Sequence, residues 1–166
     1  NPMAGGVIEV YKYDELSNPP FFHHQSINLN GLTTRYYMGA AASINCDKDA
    51  TFLILSYHKS NTDYGSLIFY RDTNDYFVQV ENSPFNFYGS GLSSIIGHNY
   101  HQSFISLSDN GKYFILSTYD TNIVILYEVI NTGKDISLNK LNEITGTNGF
   151  GSSCCVSDNG YIIVGS

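Results

Sequence analysis

The chain has 166 residues, of which 42% are hydrophobic and 14% are charged, so it can bury a core and does not have the composition of a disordered protein. Its net charge of -7 and its eight scattered Lys and Arg residues argue against a nucleic-acid partner. No apolar run approaches the roughly eighteen residues of a membrane-spanning helix, and a single domain is expected.

Short β-strands account for nearly all of the predicted secondary structure. Residues 103–129 hold three apolar runs, and the turns Asp109-Asn110-Gly111 and Asp120-Thr121-Asn122 separate them. This stretch predicts a three-stranded meander. No segment shows the apolar spacing of three and four residues that is typical of a helix, so we expect an all-β chain of about twelve strands.

The strands fall into repeated patterns along the chain. Apolar strands that end in tyrosine occupy residues 5–11, 64–70 and 122–127, and the tyrosines are 70 − 11 = 59 and 127 − 70 = 57 residues apart. The three other strand types occupy 21–29, 76–80 and 136–144; 41–44, 103–107 and 152–156; and 52–56, 113–117 and 162–166. Four strands per unit at this period predict the blades of a β-propeller.

The sequence therefore predicts propeller blades of four antiparallel strands, about three repeats in all. The boundaries are a half-blade at 1–30, blades at 38–82 and 99–144, and a half-blade at 150–166. The count from Tyr127 to the last residue, continued from residue 1 to Tyr11, gives (166 − 127) + 11 = 50 residues. This is the length of one blade. We expect the half-blades to be completed from outside, because unpaired edges are avoided and propellers have four to eight blades. Either a second copy, which would give a six-bladed ring, or flanking sequence of a longer chain could complete them.

The residues from Phe150 to Ser166 resemble an FG-GAP-type repeat of integrin-like β-propellers. They begin with Phe150-Gly151, and a short strand, the turn Asp158-Asn159-Gly160 and an apolar strand follow. The resemblance extends over the chain in three passes, with Met38-Gly39 in place of Phe-Gly in one pass and no such pair in residues 99–128. It implies a propeller with a binding surface, and it implies no particular ligand.

Three polar turns are the places where a calcium loop could form: Asp47-Lys48-Asp49, Asp109-Asn110-Gly111 and Asp158-Asn159-Gly160. Each supplies at most two carboxylates, whereas calcium takes six to eight oxygen ligands. We therefore expect hairpin turns here, with no metal and no cofactor.

The sequence nominates no catalytic, cofactor-binding or metal-binding residue. His98 and His101, and the adjacent pair His23 and His24, lack the further ligands that zinc requires, so a role in a loop or on a strand surface is expected. No Gly-x-Ser-x-Gly motif occurs. Gly89-Ser90-Gly91 lacks the lysine and the following helix of a phosphate-binding loop.

Aromatic residues in the long connections could either form an exposed binding surface or fill the wedge between blades; they are Tyr36, Tyr37, Phe85, Phe87, Tyr88 and Tyr100. The predicted function is a non-enzymatic structural or protein-interaction module that assembles with copies of itself or with a larger chain. The alternative is a lectin-like propeller that binds carbohydrate or a small ligand. An enzyme is the weaker choice, because no carboxylate repeats on the innermost strands.

The most apolar strands predict which residues form the core. Leu55, Leu116 and Ile125 are expected to be buried. The three cysteines, Cys46 and the pair Cys154-Cys155, are expected to be reduced, small and buried, because neighbours on one strand rarely bond to each other.

Overall fold

The structure, a computed structural model, describes residues 7–28, 44–60, 63–80, 85–86, 103–118, 122–132 and 135–166. All regular elements in these ranges are β-strands, and all their pairings are antiparallel. The strands are β1 (Val7–Tyr13), β2 (Phe21–Asn28), β3 (Ile44–Cys46), β4 (Phe52–Ser60), β5 (Asp63–Arg71), β6 (Phe77–Gln79), β7 (Phe85–Asn86), β8 (Ser103–Leu107), β9 (Tyr113–Thr118), β10 (Ile123–Asn131), β11 (Ile136–Thr145), β12 (Ser153–Val156) and β13 (Ile162–Gly165). The prediction of an all-β chain is confirmed. These residues include no helix that is long and apolar enough to cross a membrane.

The strands form four units in chain order. Strands β1 and β2 make an N-terminal hairpin, and β3-β4-β5-β6 make the first sheet. Strands β8-β9-β10-β11 make the second sheet, and β12 and β13 make a C-terminal hairpin. Strand β7 was not predicted, because it lies in a segment interpreted as a connection. It pairs with Gly65 and Ser66 of β5, beside the part of the same strand that pairs with β6.

The four units stack face to face through three apolar clusters. The N-terminal hairpin packs on the first sheet through Ile8, Val10, Ile27, Leu53, Leu67, Phe69 and Phe77. The first and second sheets share the largest cluster, which includes Phe52, Ile54, Ile68, Phe114, Leu116, Ile125 and Tyr127. The second sheet meets the C-terminal hairpin through Ile115, Val124, Val156, Ile162 and Val164.

Burial on both faces explains the unbroken apolar runs of the two sheets. In β9, Phe114 and Leu116 face the first sheet, whereas Ile115 faces the C-terminal hairpin. Successive side chains of a strand point to opposite faces, so a strand between two neighbours needs apolar residues at every position. Leu116 and Ile125 are 2% and 0% exposed, which confirms both core predictions, while the side chain of Leu55 lies outside those described.

The terminal hairpins show the opposite pattern. Strand β1 alternates between exposed and partly buried residues, because only its inner face packs on the first sheet. Large apolar side chains lie on the exposed faces of the two hairpins, among them Val7, Tyr11, Tyr161 and Ile163. One face of each hairpin therefore lacks an apolar neighbour among the described residues.

The first sheet, the second sheet and the C-terminal hairpin approach one another most closely at their first strands. Strand β3 lies beside β8, and β8 lies beside β12, whereas the fourth strands β6 and β11 make no comparable approach in the described part. The backbone N–H of Val156 donates to Ser106 Oγ at 3.3 Å and links two of these first strands. The sheets therefore converge along one edge of the stack, which we call the inner edge.

The structure corrects one step of the repeat alignment. Phe69 faces the N-terminal hairpin, and Tyr70 faces the second sheet, whereas Tyr127 faces the first sheet. The strand pair Leu53 and Phe69 corresponds to Phe114 and Tyr127, so Phe69 rather than Tyr70 is the equivalent of Tyr127. The spacings become 69 − 11 = 58 and 127 − 69 = 58, and the repeat is regular.

Candidate functional site

A lysine, an arginine and a histidine surround one carboxylate between the N-terminal hairpin and the first sheet. Asp75 accepts a hydrogen bond from Lys12 Nζ. Its Oδ1 lies 3.4 Å from Arg71 Nη1, and its Oδ2 lies 3.8 Å from His24 Nε2. We call these four residues the Asp75 cluster.

The turn between β5 and β6 presents the carboxylate. Asp72 Oδ1 accepts hydrogen bonds from the backbone N–H groups of Asn74 and Tyr76, each at 2.9 Å. Asp75 then adopts a φ of 71°, a left-handed conformation that aspartate tolerates better than most residues. The Asp72 side chain thus holds the turn, while the Asp75 side chain projects from it.

A β-bulge in β2 supplies His24. Val10 pairs with Gln25 and Tyr11 pairs with His23, so His24 is an extra residue between them. Bulges of this kind re-aim a side chain, and His24 points at the first sheet, where its ring stacks on Tyr76 at a centroid distance of 5.2 Å. Its Nε2 donates to the carbonyl oxygen of Asp75 at 2.7 Å, which fixes the proton on that nitrogen.

The charges of the Asp75 cluster do not cancel. The hydrogen bond from Lys12 lowers the pKa of Asp75, and the charges of Lys12, Arg71 and His24 act in the same direction. The carboxylate is therefore ionised at neutral pH, and two permanent cations share it. The side chains of Lys12 and Arg71 are 43% and 35% exposed, so both can reach a ligand in solvent. Lysine and arginine in such a position suit a phosphate or carboxylate group.

A second polar cluster lies on the exposed face of the N-terminal hairpin. Glu9 Oε2 accepts hydrogen bonds from Ser26 Oγ and His23 Nε2, each at 2.7 Å, and His23 Nε2 lies 2.9 Å from Ser26 Oγ. These bonds, first from Ser26 and then from His23, lower the pKa of Glu9. Both contacts of His23 use the same imidazole nitrogen, so the carboxylate does not orient the ring from its other side as a catalytic triad requires. His23 has the strand-surface role that was predicted.

The three polar turns are hairpin turns between the first and second strands of their units, as predicted. Asp47 is 5% exposed, and its carboxylate accepts hydrogen bonds from Thr51 N and Oγ1 and from Phe52 N at 2.6 to 3.1 Å. Ser108 Oγ accepts from Tyr113 N at 2.9 Å in the second sheet. The described residues contain no group of three or more His, Cys, Asp or Glu that could hold a metal ion.

The prediction that all three cysteines are buried is wrong for two of them. Cys46 of β3 and Cys155 of β12 are exposed, and Cys154 is partly buried. Alternate residues of β12 face solvent and the second sheet in turn. Burial raises the pKa of the Cys154 thiol. All three are free thiols.

Several residues considered in the sequence lie outside the described ranges: His98, His101, Gly89, Ser90, Gly91, Tyr36, Tyr37, Phe87, Tyr88 and Tyr100. Of the aromatic residues in the long connections, Phe85 has a described backbone, in β7. The sequence missed the Asp75 cluster, because Lys12 and Asp75 are 63 residues apart and no local spacing links them.

Comparison with known proteins supports the fold and corrects the functional prediction. No protein-family model matches the sequence. No curated protein matches it either. The fold is similar to the crystal structure of a putative 6-phosphogluconolactonase from Bacteroides fragilis, with a TM-score of 0.53 and 20% sequence identity. The similarity covers 85% of this chain and 33% of that one, so this chain spans about a third of its length.

The predicted non-enzymatic module, with its lectin-like alternative, is overturned by this likeness, because the similar structure is named as an enzyme. The prediction depended on the lack of local catalytic motifs. That lack is a weak argument, since folding brings together residues that are far apart in sequence, as it does Lys12 and Asp75.

Proposed function

We propose that the chain forms consecutive blades of a β-propeller, and that this propeller belongs to an enzyme that hydrolyses a phosphorylated sugar lactone. The proposed blades are repeats of FG-GAP type, with the boundaries 1–30, 38–82, 99–144 and 150–166. The likeness to a protein named as a 6-phosphogluconolactonase supports the substrate class.

The packing of the four units supports the propeller. Each unit contacts the next in chain order through a continuous apolar face. The first strands β3, β8 and β12 lie side by side, so the sheets spread outward from the inner edge like wedges. Stacking of this kind is the geometry of blades around a central axis.

The Asp75 cluster is the observation that supports a phosphorylated substrate. Hydrolysis of a phosphorylated lactone adds water to the carbonyl carbon and breaks the ring C–O bond, which leaves a carboxylate, a hydroxyl and an untouched phosphate. Lys12 and Arg71 would bind that phosphate, and Asp75 would hold both cations in place. Removing either cation is then expected to weaken substrate binding more than the chemical step.

A pair of substrates tests this assignment. Acid release is followed in a pH-stat with 6-phosphogluconolactone and with unphosphorylated gluconolactone. Lys12→Ala and Arg71→Ala are each expected to raise KM for the phosphorylated lactone about tenfold or more, because each loses a charge-assisted hydrogen bond. The KM for the unphosphorylated lactone stays unchanged.

Lys140→Ala is the matched control, because Lys140 is a half-exposed lysine that pairs with Glu143 on the second sheet, away from the Asp75 cluster. It is expected to leave both KM values unchanged. A wild-type rate no faster than spontaneous hydrolysis rejects the proposed enzyme. Equal changes with both lactones reject the phosphate-binding role of the cluster.

A further inference from the structure

The aromatic ring of Tyr76 lies next to the Asp75 cluster and is only partly covered. Tyr76 follows Asp75 in the turn between β5 and β6, and its ring is nearly parallel to the imidazole of His24, with 11° between the planes. His24 covers one face of the ring, whereas 47% of the surface of Tyr76 is exposed. An exposed aromatic surface beside two cations can contact a ring that carries a phosphate.

The His24 imidazole sets the distance between the two parts of this site. Its ring centroid lies 5.2 Å from that of Tyr76, and its Nε2 lies 3.8 Å from Asp75 Oδ2. Lys12 and Arg71 pair with the same carboxylate of Asp75. The cations and the tyrosine ring are therefore separated by little more than one imidazole and one carboxylate, a distance that a single sugar phosphate can span.

The backbone around Tyr76 is held in place by hydrogen bonds. Tyr76 N donates to Asp72 Oδ1 at 2.9 Å, and Tyr76 O accepts from Asp72 N at 2.8 Å. The next residue, Phe77, exchanges two hydrogen bonds with the side-chain amide of Gln25, at 2.8 and 2.9 Å. A ligand that contacts the ring would therefore lose little free energy in ordering this turn.

Packing between units does not require the polar side chains of this junction. At the repeat spacing of 58 residues, Lys12 corresponds to Tyr70 and Arg71 corresponds to Val129, since 70 − 12 and 129 − 71 are both 58. Tyr70 and Val129 both pack in the apolar cluster between the first and second sheets. Charged residues at one junction, where the next junction has apolar ones, indicate a role in binding rather than in packing.

We propose that Tyr76 stacks on the sugar ring of the phosphorylated substrate while Lys12 and Arg71 bind its phosphate. This inference rests on the proposed function and adds a second contact to the same site. The C–H groups on one face of a sugar ring carry a small positive charge, and the face of an aromatic ring is negative, so the two faces attract. The ligand is then a sugar phosphate whose ring and phosphate are bound side by side.

Binding of glucose 6-phosphate, a stable sugar phosphate, tests this ring contact by isothermal titration calorimetry. Tyr76→Ala is expected to raise the Kd about tenfold, because it removes the aromatic face. Tyr76→Phe keeps the ring and is expected to stay within about twofold of the wild type. Tyr161→Ala is the matched control, because Tyr161 is a tyrosine of the C-terminal hairpin with 76% of its surface exposed. It is expected to leave the Kd unchanged.

A fluorescent variant gives a second measurement at the same position. The chain contains no tryptophan, so Tyr76→Trp introduces a single indole at the proposed contact. Its emission is expected to change on titration with glucose 6-phosphate. Inorganic phosphate should change it less, because phosphate alone can occupy the cations without contacting the ring. Tyr161→Trp is expected to show no change with either ligand.

Three results would overturn the ring contact: no binding of glucose 6-phosphate by the wild type, an equal Kd for the wild type and Tyr76→Ala, or an emission of Tyr76→Trp that does not respond. In the lactone assay, Tyr76→Ala is expected to raise both KM values about tenfold, because both lactones contain the ring. Lys12→Ala differs, since it acts on the phosphorylated lactone. Binding that depends on Tyr76 without any hydrolysis would reject the proposed enzyme and keep the ring contact.

Discussion

Replacement of Ile125 by Ala tests the contact between the first and second sheets. Ile125 lies in the middle of β10, is 0% exposed, and belongs to the cluster that joins the two sheets. The change removes three carbon groups, at about 0.8 kcal/mol each for burial, and leaves a cavity. We expect the free energy of unfolding to fall by about 2 to 4 kcal/mol.

Ile130 supplies the control, because it is an isoleucine of the same strand with 46% of its surface exposed. Urea unfolding followed by circular dichroism measures both variants, with the slope compared to confirm that the unfolded state is unchanged. Ile130→Ala is expected to cost less than about 1 kcal/mol. Equal losses for the two variants would show that Ile125 does not pack between the sheets.

Three further changes test the turns and the Asp75 cluster. Gly111→Ala is expected to lower the free energy of unfolding by about 1 to 3 kcal/mol, because φ is 71° and the new Cβ would lie 2.7 Å from Phe52 Cε1. Gly160→Ala is the control, because φ is 78° there but the nearest side-chain atom is 3.6 Å away. It is expected to cost less in the same urea assay. Asp47→Ala should lower the free energy of unfolding by about 1 to 3 kcal/mol by removing the acceptor of three hydrogen bonds, and an unchanged urea midpoint would contradict that role. Because the pKa of Asp75 is lowered, the ion pairs of Asp75 stabilise the fold above the ordinary pKa of aspartate. This stabilisation is lost as the pH falls through the lowered pKa. Thermal melts of Asp75→Asn should therefore show a smaller loss of Tm below about pH 4 than those of the wild type.

The sequence was sufficient for the described strands other than β7, because their apolar runs and turns are local. The same four-strand pattern returns three times, and the division into blades that it indicates stays a prediction. The sequence did not predict the direction of each side chain. The tyrosine match at Tyr70 was one residue out of register, and a shift of one residue in a strand reverses the face. The pairing of Leu53 with Phe69 and the opposite faces of Phe69 and Tyr70 resolve that ambiguity.

The candidate site could not be predicted in the same way. Lys12 belongs to β1, His24 to a bulge in β2, and Asp75 to a turn of the first sheet, so the packing of two units brings them together. A bulge leaves no clear mark in a strand sequence, because the apolar alternation is simply offset by one residue. His23 and His24 are adjacent in sequence, yet the bulge places one on the exposed face and the other against Tyr76.

The polar turns give the recurring acidic residues a structural role. The carboxylate of Asp47 accepts hydrogen bonds from the backbone amides of Thr51 and Phe52, which follow its own turn. The carbonyl oxygen of Asp109 accepts from Lys48 N at 3.0 Å, and Asp158 Oδ1 accepts from Asn110 N at 2.8 Å, so each turn is bonded to the next unit. A backbone amide near a unit's edge needs an acceptor wherever the next unit covers it, and a short acidic side chain or a turn carbonyl provides one. One of these two contacts between units uses a backbone carbonyl and the other an aspartate side chain, and both hydrogen bonds help to fix the spacing between the units.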